Sequence, residues 1–420
     1  MKQKSKLHYA WWILIALSII VGVGKGAINN TSGLFLTSVT NDLGFGMGKL
    51  SLYFSVSAVV TMLFLPIGGK LMAKYDTRLI LSVGIVLQAG AFALFGLMSS
   101  VWGWYVLAIP LAVGGVFITV IAGPVIINQW FKKSNGLALG VLSAVGGGIG
   151  AIAQPVAAGL IDGLGWRTAY MIVGIAAIII VVPIAMLLIK RSPQAHGVLP
   201  YGATEVVGQD SQHQTVGEAG IDMVTAKKST ALYALMLFFF FITSIASFSM
   251  HIPTYLVNQG FDITFAGNVM GTYMIGILIG SLILGFLVDK LGSKYTAILA
   301  MASGIIAISL LLFANNSTAI ITFAVGLFGL ISSSIGIIAP ALASTIFGKK
   351  AYSEIYSTAS LGLAIASIIA LPAYGFVYDA TGSYTSVLYA IIIMLVINIG
   401  CVFVAFNNKK KLVEQGFWTD

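Results

Sequence analysis

Long apolar runs follow one another down the chain, each closed by a short cluster of lysine, asparagine, glycine or serine. Cutting at those clusters leaves runs at 10–40, 49–73, 78–99, 102–130, 135–162 and 167–189, then 229–258, 264–288, 294–314, 318–347, 352–379 and 384–406. A bilayer core about 30 Å thick needs about 20 apolar residues per helix, and tilted helices run longer. The pattern therefore predicts twelve transmembrane helices, an all-α membrane protein. The one long polar stretch, 191–228, holds four acids, Lys227, Lys228 and several Gly, Gln and Ser. It reads as a flexible cytoplasmic linker. The expected organisation is a six-helix bundle over 1–190, the linker over 191–228, and a second six-helix bundle with a short cytoplasmic tail over 229–420.

Composition strengthens this picture. Hydrophobic residues make up 58% of the chain and charged residues only 8%, against about 25% charged in a soluble domain. Lys2, Lys4 and Lys6 precede the first run as in a signal peptide, but the run is far longer than a signal h-region and reads as a retained first helix. The basic residues fall on one side. With both termini cytoplasmic, that side receives Lys2, Lys4, Lys6, Lys70, Lys74, Arg78, Lys132, Lys133, Lys190, Arg191, Lys227, Lys228, Lys290, Lys294, Lys349, Lys350, Lys409, Lys410 and Lys411, 19 of the 22. The opposite side receives Lys49 and Arg167. This bias sets the expected topology in a cell membrane. The net charge of +9 is dispersed in small groups, which argues against nucleic-acid binding. A single cysteine, Cys401, allows no intrachain disulfide and no thiolate zinc site.

The halves resemble each other. Gly69 to Lys74 after the second run parallels Gly285 to Lys290 after the eighth, an offset of 216, and Pro124 and Pro340 share it, each shortly before a Lys-Lys pair. Pro155 and Asp162 correspond to Pro372 and Asp379 at an offset of 217. Six runs intervene, so equivalent helices point the same way and the repeat is parallel. In transporters such a repeat places a site near mid-membrane.

The stretch Gly285-Phe-Leu-Val-Asp289-Lys290-Leu-Gly292-Ser-Lys294 resembles the loop signature of the major facilitator superfamily. The resemblance implies that superfamily's fold: twelve helices in two bundles that rock to give alternating access. It also implies that Asp289, Lys290 and Lys294, with Lys74 and Arg78 of the first-half copy, gate the cytoplasmic face. The first-half copy departs from the pattern, with Ala73 in place of the acid and Asp76 in place of the second glycine. Within the superfamily, Trp130 to Lys133, Asn135 to Gly140, Gly146 to Gly150, Pro155 and Gly165 to Tyr170 resemble the monocarboxylate transporter and oxalate/formate antiporter group. His8 to Trp12 and the linker opening from Arg191 to Gly202 suit its bacterial members. Carboxylate carriers of that group often have an arginine in the eighth helix, whereas 266–287 here contains no basic residue.

Lys25 is the only charged residue deep within a run. An ammonium at the bilayer centre costs about 2.5–3.5 kcal/mol on insertion scales, a cost borne where the charge meets a wet path or a partner. Its expected role is counter-charge to an anionic substrate, with Asn29 four residues on sharing its helix face. His251 lies at four-residue spacing between Ser247 and Tyr255, so a continuous helix would align all three, and histidine can switch protonation near neutral pH. Asn128, Gln129, Gln154, Asn268, Tyr273 and Ser332 to Ser334 are further polar candidates for the path. The expected substrate-binding set is Lys25, Asn29, Asn128, His251, Tyr255 and Asn268. The glycines from 146 to 150 lie inside a membrane helix, where close helix approach is the reading.

The expectation is a secondary transporter of a small organic anion, a mono- or dicarboxylate, working by proton symport or anion exchange. No nucleotide-binding domain, metal cluster or cofactor motif is present, and an enzyme would need paired carboxylates or a histidine cluster in the bilayer. The alternative is efflux of a hydrophobic or cationic compound, which predicts an acid deep in a helix.

Overall fold

The computed structural model describes residues 8–131, 134–190, 193, 197–202, 220–314 and 317–418. Lys2, Lys4, Lys6, Lys132, Lys133, Arg191 and most of the expected linker lie outside them.

The described chain is helical, apart from two isolated bridges. The helices are α1 (Tyr9–Leu43), α2 (Met47–Lys74), α3 (Thr77–Phe95), α4 (Val101–Trp130), and α5 and α6, one continuous run Asn135–Leu188 bent at Gly165. There follow α7 (Thr230–Met250, continuing as Ile252–Asn258), α8 and α9 (Ile263–Leu312, bent at Gly292), α10 (Thr318–Phe347), α11 (Tyr352–Thr381) and α12 (Thr385–Glu414). The shortest, α3, has 19 residues, about 28 Å at 1.5 Å per residue, enough to cross a bilayer core. Pro66, Pro110, Pro155, Pro183, Pro340 and Pro372 all sit inside helices. Membrane helices tolerate this because neighbouring groups re-satisfy the freed carbonyls.

Both bends are made by a single glycine. Gly165 has φ 79° and ψ 157°, Gly292 φ 78° and ψ 162°. That region of backbone space belongs to glycine alone, so each helix reverses without a loop. Gly382, 217 residues after Gly165, also takes positive φ, at 67°.

Contacts group the chain into two units, Met1–Leu43 with Val56–His213, and Gly44–Ser55 with Gln214–Asp420. In the first, α1 packs on α5, and α3 packs on α4 and α6. Phe35 stacks on Tyr170 at 3.8 Å, with Phe92, Phe95 and Trp104 around them. The guanidinium of Arg167 lies over Trp166 and donates to the carbonyls of Gly96 and Met98, tying α6 to the end of α3. In the second unit, α7 packs on α11 and α12, α8 on α10, and α9 on α12. The α8–α10 contact is glycine to glycine: a Cβ on Gly276 would lie 2.0 Å from the Gly326 carbonyl oxygen, and one on Gly329 2.2 Å from that of Tyr273. The outer faces stay apolar. Leu63, Trp102, Ile152, Leu187, Leu282 and Phe313 are each 65% to 71% exposed, apolar surface suited to a lipid environment.

The polar segment between units is fastened at both described ends. The Tyr201 amide donates to the Trp130 carbonyl at 2.8 Å, its ring set among His8, Trp11 and Phe131, and the Ile221 amide donates to the Phe347 carbonyl at 3.0 Å.

Candidate functional site

The middle of α1 departs from α-geometry. Val23–Asn29 forms a π-helical turn, with the Asn30 amide bonded five residues back to the Lys25 carbonyl. Gly24 and Gly26 flank Lys25, and glycine weakens an α-helix most after proline. The widened turn frees carbonyls, and buried carbonyls need partners. Side chains supply them. Gln88 Nε2 donates to the Gly24 carbonyl at 3.0 Å, Thr31 Oγ1 to that of Ala27 at 2.7 Å, Ser32 Oγ to that of Ile28 at 3.0 Å, and Gln154 Nε2 to that of Asn30 at 2.8 Å. Gln88 from α3 and Gln154 from α5 thus grip the turn from two sides, each essentially buried.

Glycines permit this grip. A Cβ on Gly26 would stand 2.7 Å from the Gly150 amide nitrogen, and one on Gly22 3.3 Å from the Gly146 Cα. The 146–150 cluster therefore serves close helix approach, as expected. A Cβ on Gly114 would lie 2.5 Å from the Gln88 backbone nitrogen. A second π-helical turn, Val116–Ile121 in α4, meets the first where Ile118 touches Gly24.

On this turn the Lys25 side chain is exposed, and among the described residues its ammonium has no hydrogen bond or ion pair. Asn29 is half-buried on the same turn and accepts from Gln88 Nε2 at 3.0 Å. The structure thus brings Lys25 and Asn29 together, and adds Gln88, which the sequence did not single out. Gly114 and Gly115 on α4 leave room beside Gln88, but nothing in the sequence tied those glycines to that amide.

The other sequence candidates are placed differently. Asn128 in α4 and Asn268 in α8 are exposed polar side chains. His251 and Tyr255 are buried in the second unit. α7 is broken by a 3-10 turn over Phe248–Met250, because Pro253 near the start of the following helix lacks an amide hydrogen and crowds the preceding turn. Ser247, His251 and Tyr255 therefore share no continuous α-helical face. His251 Nε2 lies 2.9 Å from the Leu371 carbonyl and Nδ1 2.8 Å from the Tyr384 hydroxyl. A carbonyl can only accept, so Nε2 carries the hydrogen and Nδ1 accepts from Tyr384. Tyr255 donates its hydroxyl to the Leu311 carbonyl at 2.9 Å.

At the lysine-rich end, Asp289 and Lys290 are exposed in the last turn of α8, with Lys290 over the Phe286 ring. Lys294 lies between the rings of Phe403 and Phe406 at 5.2 and 5.5 Å. Lys74 sits over Tyr75, and Arg78 is half-buried at the start of α3. At the other end, Asp379 accepts from the Met47 and Gly48 amides at 2.7 and 2.8 Å, capping the first turn of α2. Its repeat partner Asp162 is exposed. Among the described residues no cluster of His, Cys, Asp or Glu could hold a metal.

The described apolar helices, with polar groups buried partway along them, define a multi-pass membrane protein. The Major Facilitator Superfamily profile matches residues 14–268 and 258–416, and the chain belongs to that superfamily. It is 26% identical over 187 residues to the oxalate:formate antiporter of Oxalobacter formigenes, 44% of each chain. It is 22% identical over 362 residues to the multidrug transporter MdtP of Bacillus subtilis (strain 168), 75% of this chain and 67% of that one. Its fold is shared with a solved bacterial homologue of the human lysosomal transporter Spinster in an inward-facing, occupied conformation, at TM-score 0.72 and 15% identity over 96% of this chain and 98% of that one.

Proposed function

We propose that this transporter carries a small organic anion, a mono- or dicarboxylate, by alternating access, with the Lys25 ammonium as the anion's counter-charge. The observation that carries the reading is an exposed mid-helix ammonium with no hydrogen bond or ion pair among the described residues, on a turn gripped by two buried glutamines. A charge at that depth is too costly to face lipid, so it faces the substrate path. The partial likeness to an oxalate:formate antiporter supports an anion. The alternative, efflux of a cation or hydrophobe, calls for an acid deep in a helix, and Lys25 has the opposite sign. Energy comes from proton symport or anion exchange. The lysine-rich loops and both termini face the cytoplasm of the cell membrane, where Asp289, Lys290, Lys294, Lys74 and Arg78 gate the inner face. Asn128 and Asn268 are secondary polar contacts along the path, and His251 and Tyr255 fasten the second unit that supports it.

The test is reconstitution into liposomes with labelled formate, lactate, oxalate and succinate, with and without a proton gradient. At least one acid should enter. Lys25→Gln should lose most of that uptake while remaining folded, and Lys25→Arg should keep part of it, because charge survives and geometry changes. Equal uptake by Lys25→Gln and the parent would overturn the reading.

A further inference from the structure

Gln88 is buried to 1% exposure, deep in α3, and its amide nitrogen does two things at once. It donates to the Gly24 carbonyl and to Asn29 Oδ1, both at 3.0 Å. A backbone carbonyl accepts and never donates, so the Gln88 atom facing Gly24 must be the NH2 group. The same NH2 faces Asn29, so Asn29 must turn its oxygen toward α3. The orientation of Asn29 follows from the backbone of α1, one bond at a time. Among the described residues its Nδ2, with two hydrogens, is then the end left uncommitted, on the turn that also presents the Lys25 ammonium.

From this we infer that Gln88 sets the polarity of the site: by holding Asn29 oxygen-inward it presents the Asn29 amide hydrogens beside the Lys25 ammonium, two donors that select ligands rich in acceptors such as carboxylates. Gln88 is a positioning residue, acting through Asn29. The arrangement is maintained although the amide oxygen of Gln88 is buried and, among the described residues, has no hydrogen-bond partner. An unsatisfied buried acceptor is costly, yet flipping the amide would set that oxygen against the Gly24 carbonyl. The neighbourhood is cut to fit the amide. A Cβ on Gly24 would lie 3.0 Å from Gln88 Oε1, and one on Gly115 3.7 Å from Nε2.

This inference rests on the anion reading of Lys25, and the experiment separates the two. Uptake of formate, lactate, oxalate and succinate into liposomes is compared with competition by formamide, lactamide, oxamide and succinamide. Six proteins are used: the parent, Lys25→Gln, Gln88→Met, Asn29→Asp, Asn29→Leu and the double variant Asn29→Leu/Gln88→Met. Gln88→Met keeps size but removes both hydrogen bonds, so Asn29 can rotate. It should raise the half-saturating concentration of the best acid about tenfold, the scale of one hydrogen bond to a charged group, with the maximal rate within about twofold. The preference for acid over amide should fall with it. In an Asn29→Leu background, Gln88→Met should cause no further loss of affinity, since the effect passes through Asn29. Asn29→Asp should lose the acid preference with Gln88 untouched, because an acceptor oxygen then faces the site; this arm decides the matter if Gln88→Met does not fold. If Lys25→Gln transports acids normally, the anion reading and this inference fall together. If Lys25→Gln fails to transport while Gln88→Met or Asn29→Asp keeps the parental affinity and acid preference, the role of Gln88 alone is overturned.

Discussion

The first helices of the two sequence halves, α1 and α7, both lose α-geometry along their length, and they use the interruption in opposite ways. In α1 the break is a π turn that contains Gly24 and Gly26 on either side of Lys25, and it leaves that charged side chain exposed. In α7 the break is a 3-10 turn ahead of Pro253, and it ends in a histidine buried with both ring nitrogens bonded. Glycine lets neighbouring backbones close in and widen a turn; proline removes a donor and tightens one. The contrast teaches that a polar residue in mid-membrane is read by what its neighbours leave uncommitted. Lys25 keeps its charge available, whereas His251 spends its hydrogen bonds on Leu371 and Tyr384.

The contrast breaks most violently at Gly26. Any side chain there meets the backbone of Gly146 and Gly150, which cannot rotate away as a side chain can. Gly26→Leu should cost about 3 kcal/mol or more, seen as aggregation on size-exclusion chromatography or a collapsed melting temperature. A well-folded Gly26→Leu would show that the π turn does not depend on close approach to α5.

His251→Leu sharpens the other side of the comparison. It strands the Tyr384 hydroxyl and the Leu371 carbonyl in the interior, for a loss of about 1–3 kcal/mol. The melting temperature should fall while the half-saturating substrate concentration stays within about twofold of the parent. A folded His251→Leu protein of normal stability and sharply weakened uptake would move His251 from fastening to substrate contact.

The smallest effect belongs to the repeat pair Asp162 and Asp379. Asp379→Asn weakens a two-amide cap on α2 and should cost about 1 kcal/mol. Asp162→Asn, at an exposed side chain, should change stability by less than about 0.5 kcal/mol. Equal melting shifts in the two variants would mean that the bonds to Met47 and Gly48 contribute nothing to stability.

Much of this architecture was legible before any coordinates. The apolar runs gave twelve helices because a lipid-facing helix cannot hide its composition, and the Pro155/Pro372 pair marked equivalent places, each inside its helix. Lys25 stood out because ammonium burial is expensive. The π turn did not, since two glycines beside a lysine fit an ordinary helix equally well. Gln88 was invisible for a related reason: one amide among apolar residues says nothing of its partner until α1 is packed against α3. The spacing of Ser247 and His251 did not translate into one continuous α-helical face, because the 3-10 turn over Phe248–Met250 lies between them.

The one-glycine corners at Gly165 and Gly292 have a consequence for how the chain can change length. A reversal made by a single residue has no slack. One residue added or removed beside it would turn the following helix by about 100° about its own axis. For α6 or α9 that would carry the lipid-facing stripe into the bundle and the packed stripe out to the acyl chains. Epitope tags, cleavage sites and natural insertions should therefore be rejected at these two corners, however close to the membrane surface they lie.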